Sequence, residues 1–304
     1  VLDEGSLLVR LGVAQGRVAD VSVTYDRPGR AAQALAGRSP AELLALVPRL
    51  FSVCSVAQTV ACARALEAAL GEPAAPGLEA CRDVACLAEA CASHVWQLGL
   101  AWRDAAEVAP DLARVAQARH ALGDLCVALF GSASVAGSLP TAPAWEDARA
   151  SLDALASRVQ DLAAGETPLE QRVQASDRAG FAGLIARLRA RRAGAVADAE
   201  GARARLLDAE RGARVAPPRV AAPGQGTGDA QTARGLLHHR VRTTTDRVEA
   251  FESDSPTDRT FCSGGVLRDA LAGTEAGPTL ARDAGWLVLA LDPCVPWSIE
   301  VRDA

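Results

Sequence analysis

Methionine is absent from the 304 residues, tyrosine occurs once, and aromatic side chains make up only 4% of the chain. With alanine abundant and aromatics scarce, close-packed helices are favoured over a β-sandwich. The missing methionine at position 1 is expected of a removed or trimmed start. No apolar run approaches the length of a membrane span: none is longer than the six residues of Trp286 to Leu291, so no membrane partner is expected. The opening residues Val1-Leu2-Asp3-Glu4 are acidic and lack the apolar segment of a signal peptide, and the expectation is a cytoplasmic protein. There is no surplus of positive charge either. The formal charge of -5 argues against nucleic acid as a partner. The eight cysteines form no CxxC pair and no regular disulfide framework, which fits free thiols in a reducing compartment. What is present is a chain with 49% apolar residues, long enough for a sizeable core and read as a single domain over 1–304.

Local patterns order this material into mainly helical structure between β-hairpins. Leu7 to Val13 and Arg17 to Tyr25 alternate around Ala14-Gln15-Gly16, the pattern of a hairpin. Ser39-Pro40-Ala41-Glu42 carries the residues of a capping box with proline at the first helical position. A helix is expected from Ser55 to Leu70, stopped by Gly71. Another is expected over Leu78 to Leu100, where Cys81, Val84, Ala88, Cys91, Val95 and Leu98 recur at threes and fours. Further helices are predicted over Asp111–Leu129, Trp145–Ala164 and Ser176–Arg211, the last with Phe181, Leu184, Ile185 and Leu188 on one face and weakened by Gly194 and Gly201. Pro217, Pro218, Pro223 and the Gly-rich run 224–228 predict a flexible loop over about 215–230. Leu236–Thr243 and Arg247–Glu252 form a second hairpin candidate, and Thr279 to Leu291 is ambiguous between helix and strand. The expected fold class is α+β and mainly α, a helical core with one small antiparallel sheet in which the two hairpins pair.

Two cysteines carry the chemistry. Cys54 lies in Arg49-Leu50-Phe51-Ser52-Val53-Cys54-Ser55-Val56-Ala57-Gln58, and Cys294 in Asp292-Pro293-Cys294-Val295-Pro296-Trp297-Ser298-Ile299-Glu300. Thiolates are soft ligands suited to iron, nickel and zinc. Cys54 precedes a helix, where free N–H groups are expected to lower its pKa, while Pro293 and Pro296 stiffen the backbone around Cys294. Two thiolates do not close a tetrahedral structural site, yet they can hold a metal that brings strong ligands of its own.

Both stretches resemble the signatures of the nickel–iron hydrogenase large subunit, R-x-C-G-x-C-x-x-x-H and D-P-C-x-x-C-x-x-H. Phe51 and Trp297 stand where each signature has another cysteine, and Gln58 and Glu300 where each has histidine. Further stretches are similar to that family: Glu4-Gly5-Ser6, Arg27-Pro28 with Ala36-Gly37-Arg38-Ser39-Pro40, Thr232-Ala233-Arg234-Gly235, and Ser255-Pro256-Thr257. With these losses the chain resembles the degenerate HupK/HoxV-type branch of hydrogenase assembly proteins. The resemblance implies a hydrogenase-large-subunit-like fold and a non-catalytic scaffold in the maturation of an uptake hydrogenase. Such a scaffold would hold a transient Fe(CN)2(CO) unit, without nickel, on Cys54 and Cys294. Arg234, Pro256, Thr257 and Asp292 would surround the cyanides. The implied partners are Hyp-type maturation proteins that deliver the iron unit and the hydrogenase large-subunit precursor that receives it. A redox subunit with an altered metal site beside an iron–sulfur partner is the alternative from the enzyme class, and a structural interaction protein without metal is a third reading.

Cys262 stands open between a third ligand and a loop thiol, and Glu4 is a further candidate for the site. Cys62, Cys81, Cys86, Cys91 and Cys126 lie on helical patterns and read as core. His238 and His239 point to opposite faces of a strand and so share no site. The cluster Arg187, Arg189, Arg191 and Arg192 reads as a solvated helix face. Gly224-Gln225-Gly226-Thr227-Gly228 lacks the lysine and helix context of a phosphate loop.

Overall fold

Ser39 accepts a hydrogen bond from the Glu42 N–H and returns its own N–H to the Glu42 carboxylate, a complete capping box that starts helix α1 (Pro40–Leu50). The structure is a computed structural model and describes residues 5–26, 35–132, 143–164, 167–177, 183–211, 220–244, 246–262 and 265–303. Helix α2 (Ser55–Leu70) ends at Gly71 with φ 73°, the left-handed stop expected there. Helix α3 (Pro76–Trp96) runs into a π-helical turn, Gln97–Ala101, and then α4 (Trp102–Ala105). The predicted stripe from Cys81 to Leu98 is buried throughout. Helix α5 (Leu112–Phe130) is capped by Asp111, and α6 (Trp145–Ala163), α7 (Thr167–Asp177) and α8 (Leu184–Glu210) complete the helical layer.

The predicted long helix from Ser176 is therefore corrected. Its N-terminal part belongs to α7, α8 starts at Leu184, and Phe181 lies outside the described residues. Gly194 and Gly201 do not interrupt α8, because Leu188, Ala195, Ala199, Ala202 and Leu206 bury a continuous face that offsets their weak propensity. Alanine is the commonest residue of the helix–helix core, together with Cys81, Cys86, Cys91 and Cys126. Small side chains at these positions let the helices approach closely.

The strands form two sheets rather than the expected single one. β1 (Ser6–Ala14) and β2 (Arg17–Asp26) make the predicted N-terminal hairpin. A strand not foreseen, β7 (Trp297–Asp303), adds to β1 in parallel, with Leu7 opposite Trp297. The second sheet has the order β3-β4-β5-β6, from Val220–Ala222, Gln225–Thr232, Gly235–Thr243 and Val248–Asp254. The second hairpin is present as β5 and β6, but it pairs with β4 and not with the N-terminal strands. The chain is thus α+β and mainly α, as expected, with the sheet arrangement revised. Short helices α9 (Pro256–Phe261) and α10 (Gly265–Leu271) lead to α11 (Leu280–Leu291), which resolves the ambiguous segment as helix.

The flexible loop expected over 215–230 is corrected where it is described, since 225–232 is strand β4; residues 212–219 lie outside the described residues. A Cβ on Gly226 would strike Ala65 O and Ala69 N, and one on Gly228 would strike Ala61 O and Ala65 N. Glycine occurs here because the strand backbone lies directly on the backbone of α2, an approach any side chain would block. Arg64 of α2 donates to Asp229 O and pairs with Glu79 and Asp83 of α3, so strand and two helices are tied together.

Candidate functional site

α1 ends at Phe51, three residues before Cys54, and Cys54 occupies the N-cap position of α2. α11 ends at Asp292, whose left-handed backbone (φ 55°, ψ 64°) turns the chain out of the helix and presents Cys294 two residues later. These two chain reversals bring the cysteines together. Both line one small pocket with Leu50, Phe51, Ser52, Val53, Gln58 and Val295. Cys294 also opens on a larger cavity of about 680 Å³, walled by Trp96, Trp286, Trp297 and Leu289 and carrying Gln97, Arg234 and Asp292.

The environment of Cys54 differs from the expected one. Glu89 of α3 takes the first free N–H groups of α2, at 2.8 Å from Val56 and 2.9 Å from Ala57. The thiol therefore faces a buried carboxylate instead of bare donors. Burial first, then Cys294 and Glu89, push the Cys54 pKa up to about 12, against smaller downward effects of Arg234 and a Gln58 hydrogen bond. Glu89 itself is raised to about 7 by burial, opposed by its two backbone bonds and Arg234. The lowering expected from the helix terminus is thus corrected to a raised value. Gln58 donates to Cys54 Sγ at 3.5 Å and accepts from His239 Nε2 at 2.8 Å. His239 is buried and its neighbour His238 pairs with Asp229 on the other face, the alternation expected of the strand.

On the other side, Asp292 is 2% exposed and collects three side chains. Arg234 donates to it through Nε to the backbone oxygen (2.9 Å) and Nη2 to Oδ1 (3.0 Å), and Nη1 reaches Ser93 Oγ at 3.4 Å. Arg191 donates to Oδ2 at 2.9 Å, and the Gln97 amide donates to Oδ1. The π-helical turn inserts an extra residue into the helical repeat where Gln97 sits. Its Oε1 is buried in the cavity wall without a hydrogen-bond partner among the described residues. Thr257 Oγ1 accepts the Cys294 N–H at 3.2 Å, and a hydroxyl that accepts still carries a proton to donate. Pro256 is the first residue of α9, where the Ser255–Asp258 capping box fixes the turn that places Thr257.

Phe51 and Trp297, at the two positions of missing cysteines, occupy different walls. Phe51 packs on the core formed by Leu43, Val47 and Leu50. The ring of Trp297 lies over Gly285, where a Cβ would sit 3.4 Å away. Cys262 is exposed at the end of α9 and lines neither pocket, and Glu4 lies outside the described residues. Among the described residues, no group of three or more His, Cys, Asp or Glu is placed to hold a metal ion. The small pocket has about 20 Å³, room for one water-sized body. Two sulfur donors do not close a metal site by themselves, so the donor set fits only a metal with ligands of its own.

No protein-family model matches the chain. The chain is 30% identical to the hydrogenase expression/formation protein HupK of Azotobacter vinelandii, over 99% of both chains. It belongs to that family. HupK of Bradyrhizobium diazoefficiens is 32% identical over 94% of both chains, and HupV of Azotobacter chroococcum mcd 1 is 29% identical over 99% of both. Among solved structures, the Ni-Fe-Se hydrogenase of D. vulgaris Hildenborough matches with a TM-score of 0.67, at 14% identity over 92% of this chain and 94% of that one. The reduced, active Ni-Fe-Se hydrogenase of Desulfomicrobium baculatum gives 0.68, over 93% and 95%. The HupK family member described here therefore has the fold of the nickel–iron hydrogenase large subunit. Glu89, Gln97 and Arg191, which frame its cysteines, were not foreseen. Each sits in a helical stretch where a polar residue reads as solvent-facing, Gln97 where the helix turns π-helical, and no local signal marks it as buried.

Proposed function

We propose that the protein is a non-catalytic assembly scaffold for nickel–iron hydrogenase maturation. It holds an Fe(CN)2(CO) unit on Cys54 and Cys294 and passes it to the large-subunit precursor, after delivery by Hyp-type maturation proteins. The relatives' names as expression/formation proteins support the maturation role. The observation that carries the finer reading is the pairing of only two thiols in one pocket beside a buried arginine. Two sulfurs suffice when the iron already bears three diatomic ligands, and Arg234 has N–H groups beyond those spent on Asp292 and Ser93 for an anionic unit.

The raised Cys54 pKa suits temporary retention. Burial and the neighbouring Glu89 carboxylate favour the protonated thiol, so the proton competes with the metal, which weakens the hold and favours hand-over. Phe51 and Trp297 fill the positions that would complete a four-sulfur site, so nickel finds no second pair of thiolates.

Infrared spectroscopy of protein purified anaerobically from a hydrogenase-producing host tests this. Cyanide and carbonyl bands are expected in the wild type and absent from Cys54→Ala and Cys294→Ala, both folded. A wild type without bands would leave the structural reading, and hydrogen turnover by the isolated protein would favour the redox subunit.

A further inference from the structure

A second cleft, of about 360 Å³, shares no lining residue with the cysteine pockets. Its charged walls are Arg187, Arg191 and Asp198, with the His94 ring beside them. The four arginines of α8 that read as one solvated face divide here into two kinds. Arg189 and Arg192 both reach Glu170. Arg187 and Arg191 stand one turn apart on the cleft side, and the Arg187 guanidinium makes no ion pair or hydrogen bond among the described residues.

Like charges at that spacing repel unless an anion lies between them. The one carboxylate lining the cleft, Asp198, is engaged by His94 Nε2 at 3.2 Å. His94 Nδ1 in turn faces Arg191 Nη1 at 3.5 Å, so the ring is oriented with Nδ1 as acceptor. Gly194, one turn beyond Ala190, contributes no side chain and leaves His94 reachable. Two guanidinium groups thus line one open polar cleft: Arg191 shares Asp292 with Arg234, and among the described residues the Arg187 guanidinium has no counter-charge.

We propose that this cleft binds a small oxyanion, phosphate or carboxylate, through Arg187 and Arg191. The planar fork of each arginine matches two oxygens of such a group. Arg191 also holds Asp292 Oδ2, and Asp292 sets the turn that carries Cys294. An anion drawing on Arg191 competes with Asp292, so occupancy of the cleft loosens the Cys294 turn.

Calorimetric titration of the metal-free protein with inorganic phosphate, and in a separate arm with acetate, tests binding and distinguishes the two sources. One phosphate or acetate is expected to bind. Arg187→Ala should weaken it by about tenfold or more, as loss of a charge-assisted contact does, and Arg189→Ala should leave it unchanged. No binding of either anion, or equal affinity in the wild type and Arg187→Ala, would overturn the site. Coupling is read from alkylation of Cys294, followed by peptide mass, again without metal. Its rate should rise with anion occupancy in the wild type and stay flat in Arg187→Ala; a rate indifferent to the anion would refute the link through Arg191. Neither readout depends on iron, so a failed scaffold reading and a failed anion site remain separable.

Discussion

Cys54 rides on a helix pressed backbone to backbone against the glycines of β4, whereas Cys294 hangs from a proline-flanked turn held by ion pairs. The first arrangement is steric: Ala61, Ala65 and Ala69 of α2 admit nothing larger than hydrogen at 226 and 228. The second is electrostatic: Arg191 and Arg234, with side chains 10% and 7% exposed, converge on Asp292. Even the carboxylates differ. Glu89 meets backbone N–H groups and is pushed toward its neutral form, while Asp292 meets two guanidinium groups. One thiol is thereby fixed by shape and the other by charge, and the second is the one that a competing anion could adjust.

The comparison breaks most visibly at Asp292. Asp292→Ala leaves two buried arginines without their shared partner and should destabilise the protein by about 3–5 kcal/mol in urea unfolding. Asp292→Asn, which tolerates the left-handed backbone, should lose less. A loss below about 1 kcal/mol for the alanine variant would mean that the turn does not depend on charge.

On the steric side, Gly228→Ala should cost about 3 kcal/mol, at the upper end for overpacking, because the new methyl meets backbone atoms and not a mobile side chain. Added salt should not rescue it, whereas the stability of the wild type should respond to salt through the Asp292 cluster only weakly, as buried pairs are poorly screened. An unaltered unfolding midpoint for Gly228→Ala would show that β4 can lift from α2.

The smallest effect concerns pH. Glu89 holds its proton more tightly when folded, with a pKa of about 7 against an ordinary 4.5. Its contribution to stability is full below pH 4.5 and is lost as pH rises through about 7, a change of no more than about 3 kcal/mol. Unfolding measured from pH 4.5 to 8 should show that decline in the wild type and a flatter curve in Glu89→Gln. Parallel curves would place the titration elsewhere.

Much of the fold was legible because its signals are local. The capping residues Ser39 and Glu42, the turn at Gln15-Gly16 and the stop at Gly71 each act within a few residues of where they stand. The cysteine pair was legible for a different reason, the likeness of two short motifs. What escaped depends on partners distant in sequence. Gly226 and Gly228 read as a loop until the backbone of α2 is laid against them. Trp297–Asp303 alternates poorly because most of its side chains are exposed, and only the free edge of β1 makes it a strand. Arg191 looked solvated until α11 delivered Asp292 to it.

The parallel pairing of β7 with β1 bears on when the protein can begin to work. Arg10 and Glu300, opposite one another and ion-paired, are 290 positions apart in sequence. During synthesis the N-terminal hairpin, α2 and the helical layer can all fold before β7 is made. Through that interval β1 exposes an open edge and Cys54 has no sulfur opposite it. If the protein holds the iron unit as proposed, the nascent chain offers it one thiol, and β7, joining the sheet late, marks when the second is in place.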